Sequence, residues 1–158
     1  MKPQTHAVQD HYPDDFAHCL GCGKLNPHGR QFKTRRDGDE TVTRFTPVAD
    51  DTAVPGFVYG GLIAALVDCH AMATASAAAL QAVGSQIGEI PSPRFVTASL
   101  HVDFLKPTPL GPELEARGRI KERSDRKAIV EVTVSVGGVV TARGEVVAVP
   151  MPANMLRT

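Results

Sequence analysis

The chain of 158 residues reads as an α+β domain in which antiparallel strands curl around one long buried helix. Three observations predict this class. Residues 57–80, FVYGGLIAALVDCHAMATASAAAL, carry the only long helical pattern, and from Leu62 to Leu80 that pattern is apolar on all sides, the mark of an enclosed helix. Its many alanines favour helix and present small side chains that let a sheet approach closely. On both sides of it lie segments that alternate with period two and are separated by Gly, Asp and Pro turns, the pattern of antiparallel strands packed on a helix.

Residues 1–28 are rich in Pro, His and Asp and show no sustained period, so they read as a surface arm or loop with one short turn at most. The domain proper is expected over residues 29–150, with a tail over 151–158. Residues 31–36 and 40–47 read as two strands joined at Asp37-Gly38-Asp39, where Asp-Gly marks a hairpin turn. In the second strand Val42, Arg44 and Thr46 fall on one side and Thr43, Phe45 and Pro47 on the other. A loop through Pro55-Gly56 leads to the helix, which is expected to stop near Gly84. Residues 84–93 form a loop closed by Pro91 and Pro93. Residues 95–105 then alternate strictly, Val96, Ala98, Leu100, Val102 and Phe104 against Thr97, Ser99, His101 and Asp103, and end where Pro107 breaks the ladder. Strands over 113–123, 127–136 and 139–149 complete a meander, with turns at Ser124-Asp125-Arg126 and Gly137-Gly138.

Composition narrows the function. Lys plus Arg and Asp plus Glu balance at 17 each, and the basic residues are dispersed, so nucleic acid and anionic membranes are not expected partners. The apolar stretch is interrupted by Asp68 and His70, and no basic start leads into an apolar signal core. A membrane span and a secretory signal are therefore not expected, and the protein reads as cytoplasmic. The 3 cysteines are an odd number, and Cys19 and Cys22 lie too close together to make a disulfide framework. Cys19, Cys22 and His28 have workable spacing for zinc, with a fourth ligand to come from His11 or Cys69. So partial a set predicts no bound metal and no cofactor, and leaves a tight glycine-rich turn with small buried thiols. A redox dithiol would want a strand before the pair and a helix after it, and neither pattern is there.

The chemistry concentrates on the helix. Asp68 is an acid inside an apolar helix, and an ionised carboxylate is rarely enclosed without a partner or a task. Gly60 and Gly61 stand where the helix begins, where backbone N–H groups lack internal partners and the helix dipole is positive. Without side chains, they let a carbonyl approach those amides as an oxyanion hole requires. Acid and amides together suit hydrolysis of an acyl group. Eight residues of straight helix separate them by about 12 Å at 1.5 Å per residue, too far for one carbonyl, so the site is expected to be shared between two antiparallel copies. Tyr59 either orients substrate or water through its hydroxyl or packs. His70 faces another direction from Asp68 and is either a substrate-binding residue or a satisfied core or interface histidine. Cys69 reads as a small buried hydrophobe.

With these residues placed, the chain resembles a hotdog-fold thioesterase of the PaaI-like (4-hydroxybenzoyl-CoA thioesterase-like) family. The resemblance covers roughly residues 19–149. It rests on Pro55-Gly56-Phe-Val-Tyr59-Gly60-Gly61, on Leu-Ile-Ala-Ala-Leu-Val-Asp68, and on Thr97-Ala-Ser-Leu-His-Val-Asp-Phe-Leu-Lys106-Pro107. It implies that Asp68 attacks the thioester carbonyl or activates the water that does, that Gly60 stabilises the oxyanion with Gly61 assisting, and that the substrate is an acyl-CoA or acyl-carrier thioester. It also implies a homodimer with shared sites, with a dimer of dimers as the larger assembly. Ser124 and Arg126 lie at a strand turn where family members often contact the CoA phosphates, and Arg suits that contact; the bland reading is an exposed polar hairpin. The family's motif histidine is Tyr59 here, so the imidazole's part is absent or passes to the phenol. Two rival functions stand beside hydrolysis. One is a non-catalytic acyl-thioester binder, for which a carboxylate beside the ligand is a cost; the other is a hydratase or dehydratase, which would want a histidine paired with the acid.

Overall fold

A computed structural model describes residues 5–156. Helix α1 runs over Gly60–Ala82, with β1 at Thr34–Asp37, β2 at Glu40–Phe45, β3 at Phe95–Phe104, β4 at Leu114–Arg123, β5 at Ala128–Val136 and β6 at Val139–Pro150. The strands form one 6-stranded sheet in the order β1-β2-β4-β5-β6-β3, and every pairing is antiparallel. The expected α+β class is present, with each strand within a few residues of its sequence bounds. The first four residues of the expected arm and the last two of the expected tail lie outside the described residues.

The helix stops by a specific device. Gly84 has φ +74°; its N–H donates to Gln81 O and that of Ser85 to Leu80 O, each at 3.0 Å. This paired closure uses a left-handed glycine to satisfy the last carbonyls. Along its length α1 buries Leu62, Ile63, Leu66, Val67 and Met72 against the strands. α1 is the one helix among the described residues long and apolar enough to cross a membrane, and its enclosure by the sheet makes it a core helix.

Two strand glycines set how closely helix and sheet meet. A Cβ on Gly144 would lie 2.4 Å from Val67 Cγ1, and one on Gly118 would lie 2.7 Å from His70 Nε2. The register places Thr41, Gly118, Val132, Gly144 and Val102 in one row across the sheet, so the helix crosses where the row offers no side chain at two strands. Bulges at Thr97/Ser99, Ile120/Glu122 and Val134/Ser135 add local bend and twist.

Two sequence expectations are corrected here. The segment before residue 29 is not a surface arm: Val8, Tyr12 and Ala17 are buried with Ala73, Ala77, Leu80 and Ile87, in short 3-10 turns too brief to carry a period. It covers α1 around Ala73, Ala77 and Leu80. Nor is the helix enclosed on all sides within one chain. Gly60 and Gly61 are exposed and Ala64, Ala65 and Asp68 only half-buried, a helical stripe of small residues ending on the acid.

Candidate active site

At the start of α1, Tyr59 takes the cap position with extended backbone, φ −72° and ψ 144°, and no side chain caps the first turn. Among the described residues the amides of Gly60 and Gly61 donate no hydrogen bond, so two donors at the positive end of the helix dipole stay available. Aromatic rings also lie close to both glycines. A Cβ on Gly60 would stand 3.3 Å from the Phe104 ring, and one on Gly61 would stand 2.5 Å from the Tyr59 ring. The ring of Tyr59 lies against Gly61.

A cleft of about 560 Å³ opens beside Gly60, lined by Val54, Phe57, Ile63, Phe104, Pro107 and neighbouring residues, with Lys106 as its cation. Its walls are mainly apolar, and its volume is that of a small-ligand site. Sequence pattern gave no sign of it, because its walls come from three separate stretches that meet only in the fold.

Two turns along α1, Asp68 accepts a hydrogen bond from Thr97 Oγ1. Burial raises its pKa above the ordinary carboxylate value, while the Thr97 bond acts in the opposite direction. Thr97 was no candidate in the sequence. It reaches the acid through the β3 bulge, where Thr97 pairs with Ala148, Ser99 with Val147, and Ala98 is the extra residue. The strict alternation expected for this strand therefore fails. Phe95 packs in the core and Thr97 bonds the helix, but beyond the bulge Val102 and Phe104 face it instead. One inserted residue exchanges the two faces of a strand.

His70 has the surroundings of the second reading, a satisfied core histidine. It is fully buried, with Nε2 3.0 Å from Thr41 Oγ1 and Nδ1 2.7 Å from Thr43 Oγ1. The network assigns its tautomer. Gln9 Nε2 donates to Thr34 Oγ1, which lies 2.8 Å from Thr43 Oγ1; when Thr34 gives its proton to Thr43, Thr43 donates to Nδ1. On the other side Thr74 Oγ1 donates to His70 O, Thr41 Oγ1 donates to Thr74 Oγ1, and Thr41 therefore accepts from Nε2–H. Gly118 O, 3.3 Å from Thr41 Oγ1, is a second acceptor for the Thr41 proton, and with either acceptor that proton does not go to Nε2. Burial, and then the charge of Arg117, pull the imidazole pKa down to about 3, so it is neutral.

Ser124 and Arg126 form the exposed β4–β5 turn, where Ser124 Oγ accepts from Arg126 N at 3.2 Å. The row Arg123, Ala128, Ala148, Thr97 puts this turn three strands from Thr97, roughly 14 Å at the usual strand spacing. It stands at the same end of the sheet as Asp68 without touching it. The residues weighed as zinc ligands divide in the fold. Cys69, one of the two offered as a fourth ligand, joins Cys19 and Cys22, with the three sulfurs within 4.8 Å of one another, while His28 and His11 are not in the group. Cys69 is thus one of a thiol cluster rather than an isolated small hydrophobe.

The sequence matches the thioesterase superfamily over residues 55–143, the span that holds the glycine pair, Asp68, Thr97 and most of the sheet. The chain belongs to the thioesterase superfamily. A thioesterase superfamily protein from Shewanella loihica PV-4 is 43% identical, with a TM-score of 0.64 over 88% of this chain and 98% of that one. The hotdog fold is shared more widely. The E. coli PaaI protein, from the phenylacetic acid degradation operon, is 14% identical with a TM-score of 0.63 over 78% of this chain and 81% of that one. Cj0977, a sigma28-regulated virulence protein of Campylobacter jejuni, is 18% identical with a TM-score of 0.63 over 91% and 95%. No curated protein matches the chain. Superfamily membership and the hotdog fold agree with the resemblance drawn from the motif around Gly60, Gly61 and Asp68.

Proposed function

We propose that this protein hydrolyses the thioester bond of an acyl-CoA at sites shared between two copies of the chain. The supporting observation is that two unbonded amides beside an apolar cleft and a positioned acid lie on the same straight helix, about 12 Å apart at 1.5 Å per residue. A carbonyl within about 3 Å of both needs a second helix running the other way. The uncovered stripe of Gly61, Ala64, Ala65 and Asp68, together with the free edge of β3, gives a second copy a surface of small side chains to approach.

In this reading the acyl group enters the cleft beside Gly60, the Gly60 amide stabilises the oxyanion with Gly61 assisting, and Asp68 of the other copy attacks the carbonyl or takes the proton of the attacking water. Tyr59, against Gly61, orients the thioester by its hydroxyl. Ser124 and Arg126 take the CoA phosphates. The hydratase and dehydratase reading loses ground because His70, the one histidine near the acid in sequence, has both ring nitrogens committed. Unpaired thiols at Cys19, Cys22 and Cys69 suit a reducing compartment, and we place the protein in the cytoplasm.

The test is complementation. Asp68→Asn removes the acid at constant size and should lower thiol release from acyl-CoA by about a hundredfold or more. Gly60→Pro deletes one amide at a helix position where Pro is tolerated, and the extended Tyr59 is what a following Pro demands. Each variant alone should be strongly impaired; mixed in equal amounts they should return roughly a quarter of wild-type activity, since half the dimers are mixed and each holds one intact site. Mixed dimers that form and stay inactive would sink the shared site.

A further inference from the structure

The proposed hydrolysis makes no use of Cys19, Cys22 or Cys69, yet the fold brings them together from distant places. Cys19 and Cys22 lie on the N-terminal segment, in a turn closed by Gly23 N–H to Cys19 O at 2.8 Å. Cys69 lies on α1. Cys19 Sγ and Cys69 Sγ are 3.8 Å apart, and all three sulfurs lie within 4.8 Å of one another. For zinc–sulfur bonds of about 2.3 Å, the edge of a coordination tetrahedron is about 3.8 Å.

The backbone is built to permit this approach. A Cβ on Gly21 would stand 2.4 Å from Cys69 Sγ, and one on Gly23 would stand 2.4 Å from Cys19 N. The two glycines of the Cys-Leu-Gly-Cys-Gly turn therefore let it descend onto the helix. A charge observation agrees. Arg94 is half-buried, lies over the Tyr12 ring at 4.9 Å and donates to Phe95 O at 2.8 Å. It forms no ion pair among the described residues, and its charge acts on Asp68, Tyr12 and the three cysteines alike. A dication on three thiolates carries net negative charge, which a neighbouring guanidinium balances.

We propose that Cys19, Cys22 and Cys69 bind one zinc-class divalent cation through three thiolates, with water in the fourth position on the half-exposed Cys19 side. Each thiol gives its proton to solvent as the cation binds, and no oxidant is involved. The ion ties the N-terminal segment to α1 at the residue following Asp68.

The test uses the full chain, purified under reductant without chelator. Elemental analysis should find about one zinc per chain, and the metal-free protein should take up about one Co²⁺ with a thiolate-to-cobalt charge-transfer band. Cys22→Ser and Cys69→Ala should each lower bound metal at least about tenfold, while His28→Ala should leave it unchanged. Reduced wild-type protein that takes up neither Zn²⁺ nor Co²⁺ overturns the proposal. So does metal retained in folded Cys69→Ala, binding of Cu⁺ alone, or a disulfide that forms on purification and yields no metal site once reduced. If a cysteine variant fails to fold, the wild-type cobalt titration decides by itself, because the intensity of its charge-transfer band counts the thiolates.

Discussion

Thr97→Val isolates the one contact that holds the acid. Valine matches threonine in shape and suits a strand, so the substitution removes the Oγ1 donor and little else. A hydrogen bond to a charged group contributes about 1.5–3 kcal/mol net. Asp68 is only half-buried and Thr97 exposed within one chain, so water replaces part of the bond and the lower end applies, about 1.5 kcal/mol or a tenfold loss of rate. Thr97 touches the acid rather than the cleft, so the loss should fall on kcat with KM nearly unchanged. The assay is thiol release from a panel of acyl-CoA esters, with a melting curve on the same sample to show that the fold is intact. Thr97→Ser keeps the donor and should return to within about threefold of wild type. Wild-type kcat in Thr97→Val, or equal damage from valine and serine, would refute a positioning role for this hydroxyl.

Three other outcomes are expected. Gly144→Ala places a Cβ 2.4 Å from the buried Val67 Cγ1 and should destabilise by about 1–3 kcal/mol, read as a lower Tm, while an exposed control, Gly137→Asn in the left-handed turn at φ +55°, should change little. Thr43→Val leaves His70 Nδ1 without its donor and Thr34 Oγ1 without its acceptor, so denaturant unfolding should show a loss of roughly 2–4 kcal/mol. Arg126→Gln should raise KM for acyl-CoA severalfold at unchanged kcat; an unchanged KM leaves the β4–β5 hairpin as a polar turn only.

The sequence disclosed most of the fold because its signals are local. Period two marks strands, Gly84 marks a helix stop, and Gly38, Gly137 and Gly138, all at positive φ, mark hairpin turns. What stayed hidden depends on contacts between distant segments. A bulge leaves no compositional trace when the extra residue is Ala98, yet it alone brings Thr97 to Asp68. The burial of Val8 and Tyr12 was equally silent, because two short 3-10 turns do not repeat often enough to show which side faces inward. Gly118 and Gly144 did leave a signal that periodicity overlooks: a glycine inside a strand marks close approach of another element.

Asp68 is where local reading and tertiary structure diverge most usefully. An apolar helix with one acid implies a buried acid, but composition records total burial and does not say which chain supplies the cover. Along the first half of α1 the residues that the sheet and the N-terminal segment leave exposed or only half-buried are Gly60, Gly61, Ala64, Ala65 and Asp68. Were this stripe meant for water, glycine would be a costly choice at its start, since it weakens a helix. Small side chains have a use if another helix is to come close, as Gly118 and Gly144 allow within the chain. On the proposed pairing, the same residues that permit the approach carry the amides and the acid. The features that make one chain's helix incompletely buried are then the features that make the site, and a single copy holds both halves without being able to bring them to one carbonyl.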